Sequence, residues 1–226
     1  MSPRPQITLS YAQTLDGQLA TRTGSSQWIG GPESLRFAHG LRTRHDAILV
    51  GIGTVLADDP RLTVRLVDGR SPLRVVLDSR LRVPLGARVL REGAASGTLI
   101  ACVEGADPER RAALQALGAR VVVLPPGPDG GVALEALLDD LYALGVGTLM
   151  VEGGARVITA LLRARLADRI AVCVAPRILG TGLAAVGDLG IAHLAEALLL
   201  DEPRVTAYGA DLIIEARISY PERQAD

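Results

Sequence analysis

Ala47-Ile48-Leu49-Val50-Gly51-Ile52-Gly53-Thr54-Val55-Leu56-Ala57-Asp58-Asp59-Pro60 is the stretch on which the fold turns. Ala47–Ile52 is apolar without a break, as in a strand covered on both faces. It runs straight into glycines, a hydroxyl and two carboxylates. In an open α/β sheet, ligands bind beyond the carboxyl ends of the strands, and glycine there lets backbone come close to a ligand. Thr54 can hydrogen-bond a phosphate or a ribose. Asp58 or Asp59 can take a ribose hydroxyl or cap the next turn. A plain strand and turn stopped by Asp59-Pro60 accounts for the same residues.

Working outward, the same alternation recurs. Gln6–Ala12, Leu73–Asp78, Leu99–Val103, Arg120–Leu124, Thr148–Glu152 and Ile170–Ala175 read as strands. Glu33–Thr43 reads as a helix with Pro32 near its start and Leu35, Ala38 and Leu41 on one face. Pro108–Leu117, Val132–Leu144 and Ala155–Leu166 have helical spacing too. Strands alternating with helices imply a mostly parallel sheet with helices on its faces. Arg204–Tyr208 and Asp211–Ser219 flank Gly209-Ala210, which predicts a C-terminal antiparallel hairpin and so a mixed sheet. No internal repeat and no splitting linker is visible, so residues 1–226 are expected to form a single α/β domain.

Composition narrows the function classes. The 24 basic residues balance 25 acidic ones, without a basic block, and aromatics make up 3%. Neither a general nucleic-acid footprint nor a base-stacking platform is expected. Every basic residue counted is arginine, the residue that grips planar or phosphorylated groups with a rigid fork, although most arginines on any surface are simply solvated. No apolar run approaches the roughly 18 residues of a membrane helix, and Met1–Ile7 lacks a signal pattern, so the expected location is the cytoplasm. Cys102 and Cys173 lie in apolar runs and read as buried thiols. With His39, His45 and His193 apart in the sequence, no metal site is expected.

Three more strand ends could carry chemistry. Val151-Glu152-Gly153-Gly154 precedes a helix. Glycines there leave N–H groups free beside the positive end of the helix dipole, which suits an anion such as a pyrophosphate. Glu152 is costly at a buried strand end unless it meets donors or a ligand. Leu77-Asp78-Ser79-Arg80-Leu81-Arg82 follows another strand, and its hydroxyl and arginines favour a 2′-phosphorylated cofactor. Ala175-Pro176-Arg177-Ile178-Leu179-Gly180-Thr181-Gly182 is a further loop. Arg42 and Arg65 stand near these loops and could hold a phosphate in a bidentate grip. Ordinary turns and solvated arginines are an alternative reading of each piece. Taken alone, these residues reach an α/β enzyme with a phosphorylated cofactor or substrate.

Together they resemble the reductase domain of the riboflavin-biosynthesis deaminase/reductase family and its free-standing archaeal relatives. The matching residues are Thr14-Leu15-Asp16-Gly17, Gly24-Ser25-Ser26-Gln27-Trp28-Ile29, Leu41-Arg42, Asp46 through Pro60, Leu62-Thr63-Val64-Arg65, Pro72 through Ser79, Val151 through Gly154, Ala175-Pro176 and Leu179-Gly180. The resemblance implies a dihydrofolate-reductase-like three-layer fold, a homodimer, and NADPH as hydride donor. It implies reduction of the ribosyl group of a 5-phosphoribosylamino-pyrimidine to ribityl. By motif matching, Ala12, Trp28, Thr54, Asp58, Ser79 and the run Gly154, Ala155, Arg156, Val157, Ile158, Thr159 and Ala160 would touch the cofactor. Ser26, Arg42, Leu62, Arg65 and Glu152 would touch the substrate, with Glu152 the catalytic acid/base or orienting group and Trp28 a flat wall.

Two departures qualify the match. The family often has a basic residue after Asp-Gly, where this chain has Gln18. The paired His-x-Glu and Pro-Cys-x-x-Cys of a zinc deaminase are absent from this sequence, so this chain is not expected to deaminate. The substrate is then either undeaminated or supplied by another polypeptide. The rival readings are an NADPH reductase of the same fold for a pterin, a dihydrofolate or a specialised-metabolite pyrimidine, and a non-catalytic nucleotide-binding module.

Overall fold

The computed structural model describes residues 3–27, 29–91 and 93–221. In chain order the elements are β1 (Gln6–Thr14), β2 (Gln18–Thr21), α1 (Pro32–Arg42), β3 (Ala47–Gly51), α2 (Ile52–Asp58), β4 (Leu73–Leu77), β5 (Thr98–Val103), α3 (Pro108–Ala116), β6 (Arg120–Leu124), α4 (Leu134–Ala143), β7 (Thr148–Val151), α5 (Ala155–Arg163), β8 (Arg169–Ala175), β9 (Gly182–Ala184), β10 (Leu199–Tyr208) and β11 (Asp211–Ser219). They fall into two compact units, residues 1–6 with 38–154, and residues 7–37 with 155–226.

The first unit is built on parallel strands in the order β7-β3-β4-β5-β6. All five residues of β3 are buried, as their unbroken apolarity requires. The core gathers Ile48, Val50, Val76, Ile100 and Leu114 with Leu62, Leu81, Val83 and Val89 from the loops. Each helix has a local cause. α3 starts at Pro108 behind Asp107, whose carboxylate accepts the Glu109 N–H at 2.9 Å. α4 buries Leu137, Leu138 and Leu141 on one stripe. Between β4 and β5 the chain is irregular and pinned by polar contacts. Asp78 accepts the Val83 N–H at 2.7 Å, and Arg110 caps the carbonyls of Leu81 and Val83.

The second unit has the order β10-β11-β8-β1, with β1 and β8 parallel and the other two pairs antiparallel. A separate antiparallel pair joins β2 to β9. α5 buries Ile158, Leu161 and Leu162. The start of α1 is capped from the far end of the chain. Asp211 accepts the Gly31 N–H and the Ser34 hydroxyl, each at 2.6 Å, and is itself 4% exposed.

The α/β class, the mostly parallel sheet and the C-terminal hairpin are as the sequence predicts. Three features differ. α2 occupies a stretch that reads as a turn; it is one short helix with Ile52 and Val55 buried, stopped by Asp59 in a left-handed conformation just before Pro60. β10 begins five residues earlier than its apolar pattern, because Pro203 sits where the register shifts between Asp201 and Arg204. A proline has no N–H for a ladder, and an outer strand with a bulge tolerates it. β2 and β9 are too short for the apolar pattern to mark them.

Both cysteines are buried, as expected. Among the described residues, no helix is long and apolar enough to cross a membrane.

Candidate active site

Three parallel strands of the first unit end at residues singled out above: β3 at Gly51, β4 ahead of Asp78-Ser79, and β7 ahead of Glu152. Parallel strands in one sheet deliver their carboxyl ends to one edge, so these segments share it. Glu152 is held on the ladder by its own N–H, which donates to the Leu49 carbonyl at 3.0 Å. Gly153 and Gly154 then turn the chain with φ of 128° and 88°, angles that a side chain would strain.

The last turn of α1 brings Arg42 to Glu152. Nη2 donates to Oε2 at 2.6 Å and Nε donates to Oε1, giving a bidentate ion pair. The side chains are 9% and 14% exposed. Nη1 donates to the Thr63 carbonyl at 2.8 Å. The Arg42 fork is therefore committed mainly to Glu152 and to backbone. The carboxylate keeps acceptor capacity, since two oxygens offer about four lone-pair directions and Arg42 takes two.

Thr63 is presented by a strained residue. Leu62 has φ of 54° and is 2% exposed within the core. An apolar side chain in that conformation persists only where packing fixes it. Leu62 can meet a ligand through backbone alone. Arg65 is exposed, and its Nη1 donates to the Thr63 hydroxyl at 2.8 Å. His39, one turn before Arg42, is buried and accepts the Arg65 N–H on Nδ1 at 2.9 Å. Burial first, then the charges of Arg42 and Arg65, push its pKa down to about 4.

The remaining first-unit candidates are Thr54, half-buried on α2; Asp58, exposed at its end; Ser79, half-buried after β4; and Gly154. In the second unit, Ala12 lies in β1 opposite Cys173, and Ser26 is half-buried after β2. Trp28 lies outside the described residues. The predicted cofactor stretch of α5 divides by exposure. Arg156 faces solvent, Ala155, Val157 and Ala160 are half-buried, and Ile158 is fully buried with no side-chain surface to offer. Thr159 returns its hydroxyl to the Ala155 carbonyl and accepts the Gly187 N–H. Gln18 donates from its side chain to the Asp16 carbonyl, inside its own turn.

Sequence reasoning missed His39 and the Thr63 carbonyl. His39 could have been found, because it precedes Arg42 by three residues on a predicted helix and so shares its face.

The family model of the RibD C-terminal domain matches residues 5–214. The chain is 45% identical over 212 residues to the riboflavin biosynthesis protein RibD of Aquifex aeolicus, covering 93% of this chain and 57% of that protein. It is 46% identical over 217 residues to the 2,5-diamino-6-ribosylamino-4(3H)-pyrimidinone 5′-phosphate reductase of Methanothermobacter thermautotrophicus, covering 94% of this chain and 97% of that one. Acinetobacter baumannii RibD superposes with a TM-score of 0.83 at 27% identity, over 96% of this chain and 59% of that one. The chain thus spans little more than half of the RibD proteins it matches and nearly all of the archaeal reductase. It belongs to the RibD C-terminal domain family.

Proposed function

We propose that the chain is an NADPH-dependent reductase of riboflavin biosynthesis that converts the ribosyl group of a 5-phosphoribosylamino-pyrimidine to ribityl. The Arg42–Glu152 pair, largely shielded from water at the end of β7 beside the Gly153-Gly154 turn, carries this reading. The near full-length likeness to the archaeal enzyme favours the undeaminated, diamino form of the pyrimidine.

The donor set suits NADPH. Ser79 offers a hydroxyl, and Arg80 and Arg82 are exposed just beyond it, which fits a 2′-phosphate. Nothing stands within 4 Å of the place a Cβ would take at Gly153, although the residue itself is buried. By the family resemblance, Ser79, Thr54, Asp58 and Gly154 would hold the cofactor; Ala12, Trp28 and the exposed part of the α5 start are proposed as cofactor residues on that resemblance alone. Bound, it supplies the hydride.

The chain's own residues do the rest. The sugar must open at the carbon joined to nitrogen, which frees the ring oxygen as a hydroxyl. Glu152 would take the proton that the amine nitrogen loses as the carbon–nitrogen bond becomes an imine and pass it to the departing ring oxygen, and Arg42 holds the carboxylate in one orientation for it. Arg65, exposed beside Thr63, would grip the phosphate, and the family resemblance assigns Ser26 the same task. Fixing the reacting carbon in this way is worth several powers of ten in effective molarity.

The same reading makes residues 1–226 one reductase domain working in the cytoplasm as a homodimer. The outer strand β10 supports an assembly, since Leu199, Leu200 and Val205 are exposed on it. The test is NADPH oxidation with the diamino and the deaminated phosphoribosylamino-pyrimidines, with the ribityl product identified. Turnover of the diamino compound is expected. NADPH binding without oxidation of either would leave a non-catalytic module instead.

A further inference from the structure

We infer that His39 is a positioning residue for the Arg42–Glu152 pair, holding the Thr63–Leu66 backbone against α1 and packing behind the Arg42 fork. The inference rests on the reading of that pair as the substrate-facing group.

Nδ1 of His39 accepts the Arg65 N–H at 2.9 Å and lies 3.4 Å from the Leu66 nitrogen. A backbone N–H can only donate, so Nδ1 carries no proton and the neutral ring bears its hydrogen on Nε2. Nε2 stands 3.4 Å from Arg42 Nη1, itself a donor. Two donors cannot bond, so this contact is packing: the ring edge is a wall on the side of the guanidinium away from Glu152. The bond that holds Nη1 goes to the Thr63 carbonyl, two residues before the N–H that His39 secures.

One ring therefore fixes the acceptor on Nη1 and limits where Nη1 can swing. With that end held, Nε and Nη2 meet the two oxygens of Glu152. A protonated ring could not do the first. Nδ1 would cease to accept from Arg65, and a new cation would face Arg42 from its own helix and Arg65 from the loop, with Glu152 on the far side of the Arg42 fork. The side chain that replaces histidine best is asparagine, whose amide oxygen can stand in for Nδ1.

The experiment joins NMR with kinetics on the full chain. Long-range nitrogen–proton spectra of the histidine-labelled protein are expected to show His39 as the Nε2–H tautomer, with no titration through the ordinary histidine range near pH 6.5. The Arg42 Nε–H is expected to be slow to exchange in the wild type and fast in His39→Leu. His39→Leu is expected to lose roughly 10- to 100-fold in kcat, the scale of a small misplacement of a reacting group. Its NADPH affinity should be unchanged, and His39→Asn should restore most of the rate.

A proton on Nδ1, a normal titration, or full activity in both variants would overturn the inference. Where His39→Leu does not fold, the wild-type tautomer and the rate of His39→Asn decide. Where the wild type turns over no pyrimidine, the functional reading fails, while the tautomer and the Arg42 exchange rate still decide the positioning.

Discussion

The guanidinium of Arg42 meets both oxygens of Glu152, across 110 residues of chain, in a place where neither side chain is more than 14% exposed. An ion pair removed from water in this way is costly to break from one side. Glu152→Gln is expected to abolish turnover while NADPH still binds, read by titrating the cofactor against each protein. Arg42→Met, which strands the carboxylate, is expected to lower stability by about 3 kcal/mol in urea unfolding. Retained turnover in Glu152→Gln would remove that carboxylate from the chemistry.

Stability should fall on mild acidification. His39 is held neutral in the folded protein, with a pKa near 4 against 6.5 when free, so between those values the unfolded chain binds more protons. The stabilisation is complete above pH 6.5 and drains away as the pH drops toward 4. His45 is shifted the same way, chiefly by burial, and adds to the slope. The contribution of His39 is the difference between wild type and His39→Leu in urea midpoints over that range, roughly 1 kcal/mol per pH unit at most. Equal slopes in the two proteins would contradict it.

Asp211 serves the start of α1 with two short hydrogen bonds from a buried position. Asp211→Ala leaves the Gly31 N–H and the Ser34 hydroxyl without that acceptor. The expected loss is about 2–3 kcal/mol, with Ser34→Ala losing about 1 kcal/mol, since an abandoned buried partner costs more than a bond is worth. Thermal or urea unfolding of the two variants checks the order; a reversed order would show that the carboxylate is not the cap.

The choice between phosphorylated and unphosphorylated cofactor should sit at Ser79 and Arg80. Replacing both by alanine is expected to weaken NADPH by about tenfold or more while leaving NADH nearly unchanged, as for the loss of a charge-assisted contact. Dissociation constants for both cofactors give the answer. Equal weakening would place the 2′-phosphate elsewhere.

Much of this architecture is legible in one dimension. β3 and β7 show themselves because continuous apolarity has few other uses, and α4 because its leucines return at helical spacing. α2 hides because two glycines and an Asp-Pro pair imitate a turn, and only the burial of Ile52 and Val55 reveals the helix. The early half of β10 hides behind Pro203. At the site, Glu152 announces itself as a carboxylate at a strand end. Arg42 is visible as a cation, yet its commitment to Glu152 is a contact between distant segments that no spacing rule encodes. His39 looked solitary in the sequence because its partners are a backbone N–H from a loop and a guanidinium that it touches only by packing.

The pairing of β3 with β7 sets Ala47 opposite Leu149, so a strand made early waits for one made about a hundred residues later. At the pace of a ribosome, roughly 5–20 residues per second, that wait lasts on the order of 5–20 s. β1 waits longer, since Thr8 lies opposite Arg169. During synthesis the most apolar strand of the protein therefore has one hydrogen-bonding edge bare, and nascent chains stalled before Leu149 should be the species that chaperones capture.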